Sequence, residues 1–306
     1  MSNETTSAIS ATGLAEAPES QPTTPADAQP PGKPQADSRL AQVMTSRWLE
    51  AGALPALFLV VVVVFWIIEP GSFMTTGNWS AVLGTNTALV VVMAGALVPL
   101  IVGEFDLSVG AVAGFSAMLM AVLNTTDSVP IVWAALIALA AASAVGLINA
   151  IFTVLFDNNS FIVTLGVSTA ITGVVLLISG SETISGTSAQ LGNWIFGKSL
   201  LSIPLEFYYG LALVLIAWYV LEMTPLGQRV AFVGQSRRVA NLSGIKVNRI
   251  RMGAFITAGF VGGLAGIVLV GTAGSADPSS GPDLMLPALA AGFLGSTTVR
   301  PGRLNM

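Results

Sequence analysis

Neither cysteine nor histidine occurs anywhere in the 306 residues. Disulfides, thiolate nucleophiles, Cys/His metal sites and Ser-His-Asp triads are thereby excluded. Charge is almost as scarce. Asp, Glu, Lys and Arg make up 9% of the chain, with a formal net charge of −4, where an ordinary soluble domain carries about 25%. So few charges do not keep a soluble surface in water. Hydrophobic residues fill the gap, at 53% of the sequence, with a mean hydropathy of +0.79. This is the composition of an integral membrane protein.

A bilayer-crossing helix needs about 20 apolar residues, and the intervals between ionisable residues are that long. Glu50 to Glu69, Glu69 to Glu104, Asp106 to Asp127, Asp127 to Asp157, Asp157 to Glu182, Glu206 to Glu222 and Arg251 to Asp277 are all free of charge. None shows the apolar-out, polar-in alternation of a membrane β-barrel. The fold class predicted is all-α, a polytopic transmembrane bundle of about eight segments. Helices are expected near 52–68, 80–102, 108–123, 130–155, 161–179, 207–222 and 252–271, with a shorter helical or re-entrant segment at 284–299. Glycine-rich "GFVGGLAG" (Gly259 to Gly266) predicts a tight helix–helix seam.

Residues 1–45 differ in kind. Pro18, Pro22, Pro25, Pro30, Pro31 and Pro34 fall there among Ser, Thr and Ala. Too little apolar surface is present to offset ordering entropy, which predicts a disordered tail. The tail has no basic start followed by an apolar run, so it does not read as a signal peptide. The transmembrane domain is expected over 46–306.

Basic residues orient the spans. Lys33, Arg39 and Arg47 precede the first; Arg229, Arg237, Arg238, Lys246, Arg249 and Arg251 share the loop 223–251; Arg300 and Arg303 end the chain. Only Lys198 falls elsewhere. Cytoplasmic loops carry excess Lys and Arg, which puts the N-terminus and the loop 223–251 in the cytoplasm and the loop 180–206 outside.

Several stretches invite chemistry. "GNWIFGKS" (Gly192 to Ser199) has P-loop spacing. A P-loop follows a buried strand and opens a helix; here a polar stretch precedes and Pro204 interrupts, so no nucleotide site is expected. "GEFDLSVG" (Gly103 to Gly110) sets Glu104 and Asp106 between two apolar segments. Intramembrane carboxylates are costly and are functional candidates, for a polar solute or a coupling ion. The plainer role is a turn in which Asp106 or Ser108 caps the next helix. In the basic loop, Ser236 can cap a short helix that ends near Gly244. That helix offers either a docking element or simple attraction to anionic headgroups, about 1 kcal/mol per basic residue. Asn149 and Thr164 are polar positions within spans, with interhelical hydrogen bonding as the expected role and a substrate route as the alternative.

"GEFDLSVG", "GLINAIFTVLFDNNSFIVTLG" and "GQSRRVANLSGIKVNRIRMGAFITAGFVGGLAGIVLVGTAGSADPSSG" occur in this order. The series resembles the permease subunits of bacterial ABC sugar importers of the ribose, xylose and galactose type, from about Asn78 to the end. The resemblance implies a multi-pass protein of the bacterial inner membrane that works as a dimer around a central path. It implies two cytoplasmic ATP-binding subunits docked on its loops and an external solute-binding protein. ATP hydrolysis would then lie in a partner; no catalytic residue, cofactor, metal or nucleic-acid partner is expected in this chain. Carried over residue by residue, the path residues are Asp106, Ser108, Asn149, Phe161 and Thr164, and Glu104 joins them as an intramembrane carboxylate. The coupling residues are Arg237, Arg238, Asn241, Ser243 and Gly244. The chain departs from the family pattern at Glu104-Phe105 (usually Gly-Ile), at Ala150 (usually Gly), just before "FIVTLG" (usually proline, here Asn159-Ser160) and at Ser236 and Arg238-Val239 (usually Asn and Ala-Ala). The family pattern continues past "GRLN" by another two or so helices, so a shortened permease is expected. The solute implied is neutral and polar, a monosaccharide first. Nucleosides, branched-chain amino acids or a signalling sugar are the alternatives on the same architecture. An ion-coupled secondary transporter using Glu104 and Asp106, or a non-transporting remnant, are the alternatives of another class.

Overall fold

A computed structural model describes residues 47–195, 199–200 and 202–298. The expected tail, Lys198 of the P-loop-like stretch, and Arg300 and Arg303 lie outside the described residues. Among the described residues every expected apolar segment is helical. In chain order the helices are α1 (Arg47–Ile68), α2 (Thr76–Thr85), α3 (Thr87–Ile101), α4 (Val109–Thr125) and α5 (Ile131–Ala150). They continue with α6 (Ser160–Ser179), α7 (Ala189–Ile195), α8 (Leu205–Trp218), α9 (Pro225–Gln235), α10 (Arg237–Leu242), α11 (Val247–Ala273) and α12 (Ser280–Thr298). π-helical turns extend α5 over Ile151–Leu155 and α8 over Tyr219–Met223. Among the described residues five helical stretches are long and apolar enough to cross a bilayer: Thr76–Ile101, Ile131–Leu155, Ser160–Ser179, Leu205–Met223 and Val247–Ala273. Pro55–Ile68 and Val109–Thr125 are shorter apolar helices. Trp66, Trp133 and Trp218 stand exposed near span ends, where amphipathic rings match the headgroup level.

The loop expected over 223–251 is corrected at two points. Its first part is helical, and Pro225 and Gly227 end one helix and begin the next. Pro225 opens α9 at its first position, capped by the Thr224 hydroxyl, where the missing N–H costs nothing. A Cβ on Gly227 would lie 2.0 Å from the Leu221 carbonyl oxygen, so glycine is what lets α9 fold back against the end of α8. The second correction concerns α11, which starts at Val247. Arg249 and Arg251 therefore belong to its first turns rather than to the loop.

α11 is the hub. Gly259 and Gly263 face α5, a Cβ at Gly259 falling 2.6 Å from the Ala142 carbonyl oxygen. Gly262 and Gly266 face α4, a Cβ at Gly266 falling 2.4 Å from the Ala113 carbonyl oxygen. The Ser116 hydroxyl donates to Gly263 O at 2.9 Å across the same seam. Lipid gives helices no hydrophobic reason to associate, so close backbone approach has to supply the attraction. The expected glycine seam is present, and it is two-sided.

The connections sort to two ends. Residues 103–105, 157–161, Arg237 and Arg251 meet around one polar cavity; this is the basic end. At the opposite end β1 (Ile184–Ser185) pairs antiparallel with β4 (Ser275–Ala276); β2 (Ser199–Leu200) pairs with β3 (Ile203–Pro204). The Asp277 carboxylate fastens the first pair. It accepts from the Ser279 hydroxyl at 2.7 Å, from Ser279 N at 2.8 Å and from the Thr183 hydroxyl at 2.8 Å. These bonds, the Ser279 hydroxyl foremost, hold its carboxyl below the usual aspartate range. A depressed folded pKa adds stability above the unfolded value and loses it as pH falls through the folded value. The β1–β4 clasp should accordingly hold at neutral and mildly acidic pH and loosen only below the ordinary aspartate range. Amide exchange at Ile184 and Ala276 as a function of pH reports this; loosening already near neutrality would contradict it.

Candidate functional site

The stretch from Glu104 to Ser108 has no helical structure, and simple lengths show why. Glu104 pairs with Arg251 of α11, while Val109 packs against Gly262 of the same helix. Eleven helical residues rise about 16 Å, and five residues reach that far only when nearly extended, at about 3.3 Å each. The segment therefore runs from the basic end into the middle of the bundle, and α4 begins at that depth.

Extended backbone buried among helices must find its hydrogen bonds elsewhere. Here three of them come from side chains and one from the end of α3. Glu104 N donates to Pro99 O at 3.0 Å. Phe105 N donates to Ser160 Oγ at 3.1 Å, and Leu107 N to Thr164 Oγ1 at 3.1 Å. Ser108 N donates to Asp106 Oδ1 at 2.9 Å. Ser160 and Thr164 lie one turn apart on α6, so a single face of that helix serves alternate residues of the extended stretch. A relay continues inward: Asn149 Nδ2 donates to Ser108 Oγ at 2.7 Å, and the Ser108 hydroxyl donates to Asp106 Oδ1 at 2.6 Å.

This geometry corrects the capping expectation. Ser108 occupies the N-cap position of α4, but no side chain caps the helix; Asp106 bonds to Ser108, and Ser108 in turn to Asn149. Asn149 and Thr164 do make the expected tertiary hydrogen bonds, to a loop rather than to a facing helix. Glu104, Asp106, Ser108, Asn149 and Thr164 are all buried, whereas Phe161 is 49% exposed. Five of the six residues singled out for a solute path thus brace the segment from within. Asn149 Oδ1 and, one turn further on, Thr153 Oγ1 are buried without a protein partner, places where an ordered water would complete the bonding.

Glu104 joins this brace to the basic loop. Its Oε1 accepts from Arg251 Nε at 2.7 Å and from Arg237 Nη2 at 2.8 Å. Arg237 Nη2 also donates to Gly103 O at 3.0 Å. Gly103 adopts φ +80°, a left-handed turn that suits glycine. A carboxylate held by two guanidinium groups is charge-compensated, and that argues against a free coupling-ion ligand at Glu104. Arg251 and Ser160 were not legible in the sequence as members of the cluster. Their partners are a side chain 147 residues away and a backbone N–H, neither of which leaves a local pattern.

The residues expected to couple, Arg237, Arg238, Asn241, Ser243 and Gly244, sit on and beside α10. The Ser236 hydroxyl accepts from Val239 N at 3.3 Å, and Gly244, at φ +79°, follows the helix end. The expected capped helix is therefore present. Arg238, Val239, Asn241, Leu242 and Ser243 are exposed, Leu242 at 82%, while Ala240 packs inward against Val102, Val230, Val233 and Ala254. A polar cavity of about 690 Å³ beside the helix is lined by Arg237, Arg238, Asn241, Lys246, Arg249 and Asp157, among others. A further buried acid, Glu206, lies at the opposite end: its Oε2 meets the Thr272 hydroxyl, and its Oε1 has no protein partner.

Residues 79–303 match the family described as branched-chain amino acid transport system / permease component. The D-allose transport system permease protein AlsC of Escherichia coli (strain K12) is 29% identical over 247 residues, 81% of this chain and 76% of that protein. The ribose import permease protein RbsC of Bacillus subtilis (strain 168) is 30% identical over 253 residues, 82% of this chain and 78% of that protein. The fructose import permease protein FrcC of Rhizobium meliloti is 27% identical over 259 residues, 82% of this chain and 72% of that protein. No solved structure matches the chain.

Proposed function

Because this chain belongs to the permease-component family of branched-chain amino acid transport systems, we propose that it is the membrane-spanning subunit of an ATP-driven importer for a neutral monosaccharide. The observation that carries the reading is α10. A six-residue helix at the basic end turns arginine and two large apolar side chains, Val239 and Leu242, outward into solvent. Exposed apolar residues on a cationic knob suit a groove on a partner protein better than they suit water. That partner is a cytoplasmic ATPase, which hydrolyses ATP while this chain does not. The basic end then faces the cytoplasm, as the lysine and arginine bias requires, and the β1–β4 end faces outward toward a solute-binding protein. Asp106, Ser108, Asn149 and Thr164 form hydrogen bonds within one protomer, so the solute route runs between two copies, with Phe161 beside it. The sugar-permease relatives support a monosaccharide as substrate, and the scarcity of charge within the spans supports a neutral one.

The test is reconstitution of the permease with its ATPase and binding protein in liposomes. ATP-dependent uptake of radiolabelled ribose or allose, competed by neither leucine nor adenosine, is the expected result. Uptake of leucine would move the substrate to amino acids, and uptake driven by an ion gradient without ATP would end the reading. Leu242→Asp with Arg238→Glu should reduce ATPase co-purification about tenfold or more while the permease still reaches the membrane. Unchanged co-purification would remove α10 as the docking element.

A further inference from the structure

The two arginines that hold Glu104 do so from unlike surroundings. Arg251 is 7% exposed and Glu104 5%, whereas Arg237 is 44% exposed. Arg237 also borders both polar cavities at the basic end, the second of about 580 Å³. Water can take up the donors of a half-exposed guanidinium, so that bond is made and broken at little cost. A buried ion pair is different, because separating it strands a charge. The Arg251–Glu104 bond is therefore permanent and the Arg237–Glu104 bond releasable. Arg251 keeps Glu104 compensated whenever Arg237 leaves.

We propose that Arg237 and Glu104 form a releasable ion-pair link through which α10 pulls on the extended segment 104–108, with Arg251 holding Glu104 in place. Glu104 and Arg237 are positioning residues here. The inference rests on the reading of α10 as the ATPase docking helix. Arg237 is the first residue of α10, so any displacement of that helix carries its guanidinium along. The next residues of the extended segment are tied to α6 through Ser160 and Thr164, and to α5 through Ser108 and Asn149. A shift at one exposed helix thus reaches two spans through five residues of taut backbone. Discrete rearrangement of packed elements, rather than gradual bending, is how such displacements spread.

The experiment uses the complete complex of permease, ATPase and solute-binding protein in liposomes, and reads the ratio of ATP hydrolysis with and without solute-loaded binding protein. Glu104→Gln should leave the ATPase bound but lower this ratio, and solute uptake, about tenfold. Arg237→Gln should do the same, and Arg237→Lys should restore the ratio to within about threefold of wild type. The double variant Glu104→Gln with Arg237→Gln should be no worse than either single one, because both remove one shared contact. Wild-type stimulation in Glu104→Gln, or multiplying losses in the double variant, would overturn the link and leave the permease reading standing. Loss of ATPase binding in Arg237→Gln would make Arg237 a docking contact instead, which also overturns it. A wild-type complex without any stimulation would overturn the permease reading, and the link with it.

Discussion

Arg251→Gln should destabilise the folded protein by about 3 kcal/mol, the low end of the range for a stranded buried charge. Glu104 would remain buried with only Arg237 as its partner, and Arg237 is half in water. The low end applies because that second guanidinium stays within reach. Arg237→Gln should cost much less, about 1 kcal/mol or under, since a part-exposed pair is worth little. The pair of results separates structure from coupling: one arginine holds the fold and the other moves. The double variant Glu104→Gln with Arg251→Gln should recover most of the loss, because removing both members of a buried pair leaves no lone charge. Thermal unfolding of the detergent-solubilised protein measures all three. Added salt should leave the Arg251 effect nearly unchanged, since buried pairs are weakly screened. An Arg251→Gln protein as stable as wild type would mean that Glu104 and Arg251 do not meet.

The reach and the limit of the sequence are both visible around this cluster. Charge-free intervals placed seven apolar segments, because the bilayer imposes one length and one solvent on every span. The helix in the basic loop was legible from Ser236 and Gly244, local signals for a local structure. Thr164 and Asn149 stood out as polar residues in apolar runs. What they bond to did not, because a backbone N–H has no letter in the sequence. For the same reason "GEFDLSVG" read as a turn with a cap. Its extended course follows from where α4 and α11 touch, a consequence of Gly262 fitting under Val109. α9 was hidden by the double meaning of proline, which breaks a helix from within and starts one at its first position.

Gly259→Val should prevent the bundle from assembling. The new Cβ would stand 2.6 Å from the Ala142 carbonyl oxygen and 2.9 Å from the Gly146 Cα. Both are backbone atoms, so relief requires moving the whole of α5 away from α11. Overpacking of this kind costs about 1–3 kcal/mol when side chains can yield, and here none can. Separation would also remove the close contact that attracts the two helices in lipid. Gly266→Val should act alike on the other side, against α4, where the obstacle is the Ala113 carbonyl oxygen at 2.4 Å. Gly253 is the control on the same helix, since a Cβ there meets nothing within 4 Å. Alanine is a better helix former than glycine by about 1 kcal/mol, so Gly253→Ala should be neutral or slightly stabilising. At Gly259 the same gain competes with the clash and loses, so Gly259→Ala should lower the unfolding midpoint while Gly253→Ala does not. The yield of monodisperse protein and its unfolding midpoint in detergent read both signs. Gly259→Val protein that purifies and unfolds like wild type would show that α5 and α11 are not in backbone contact, and that the two-sided seam does not hold the bundle.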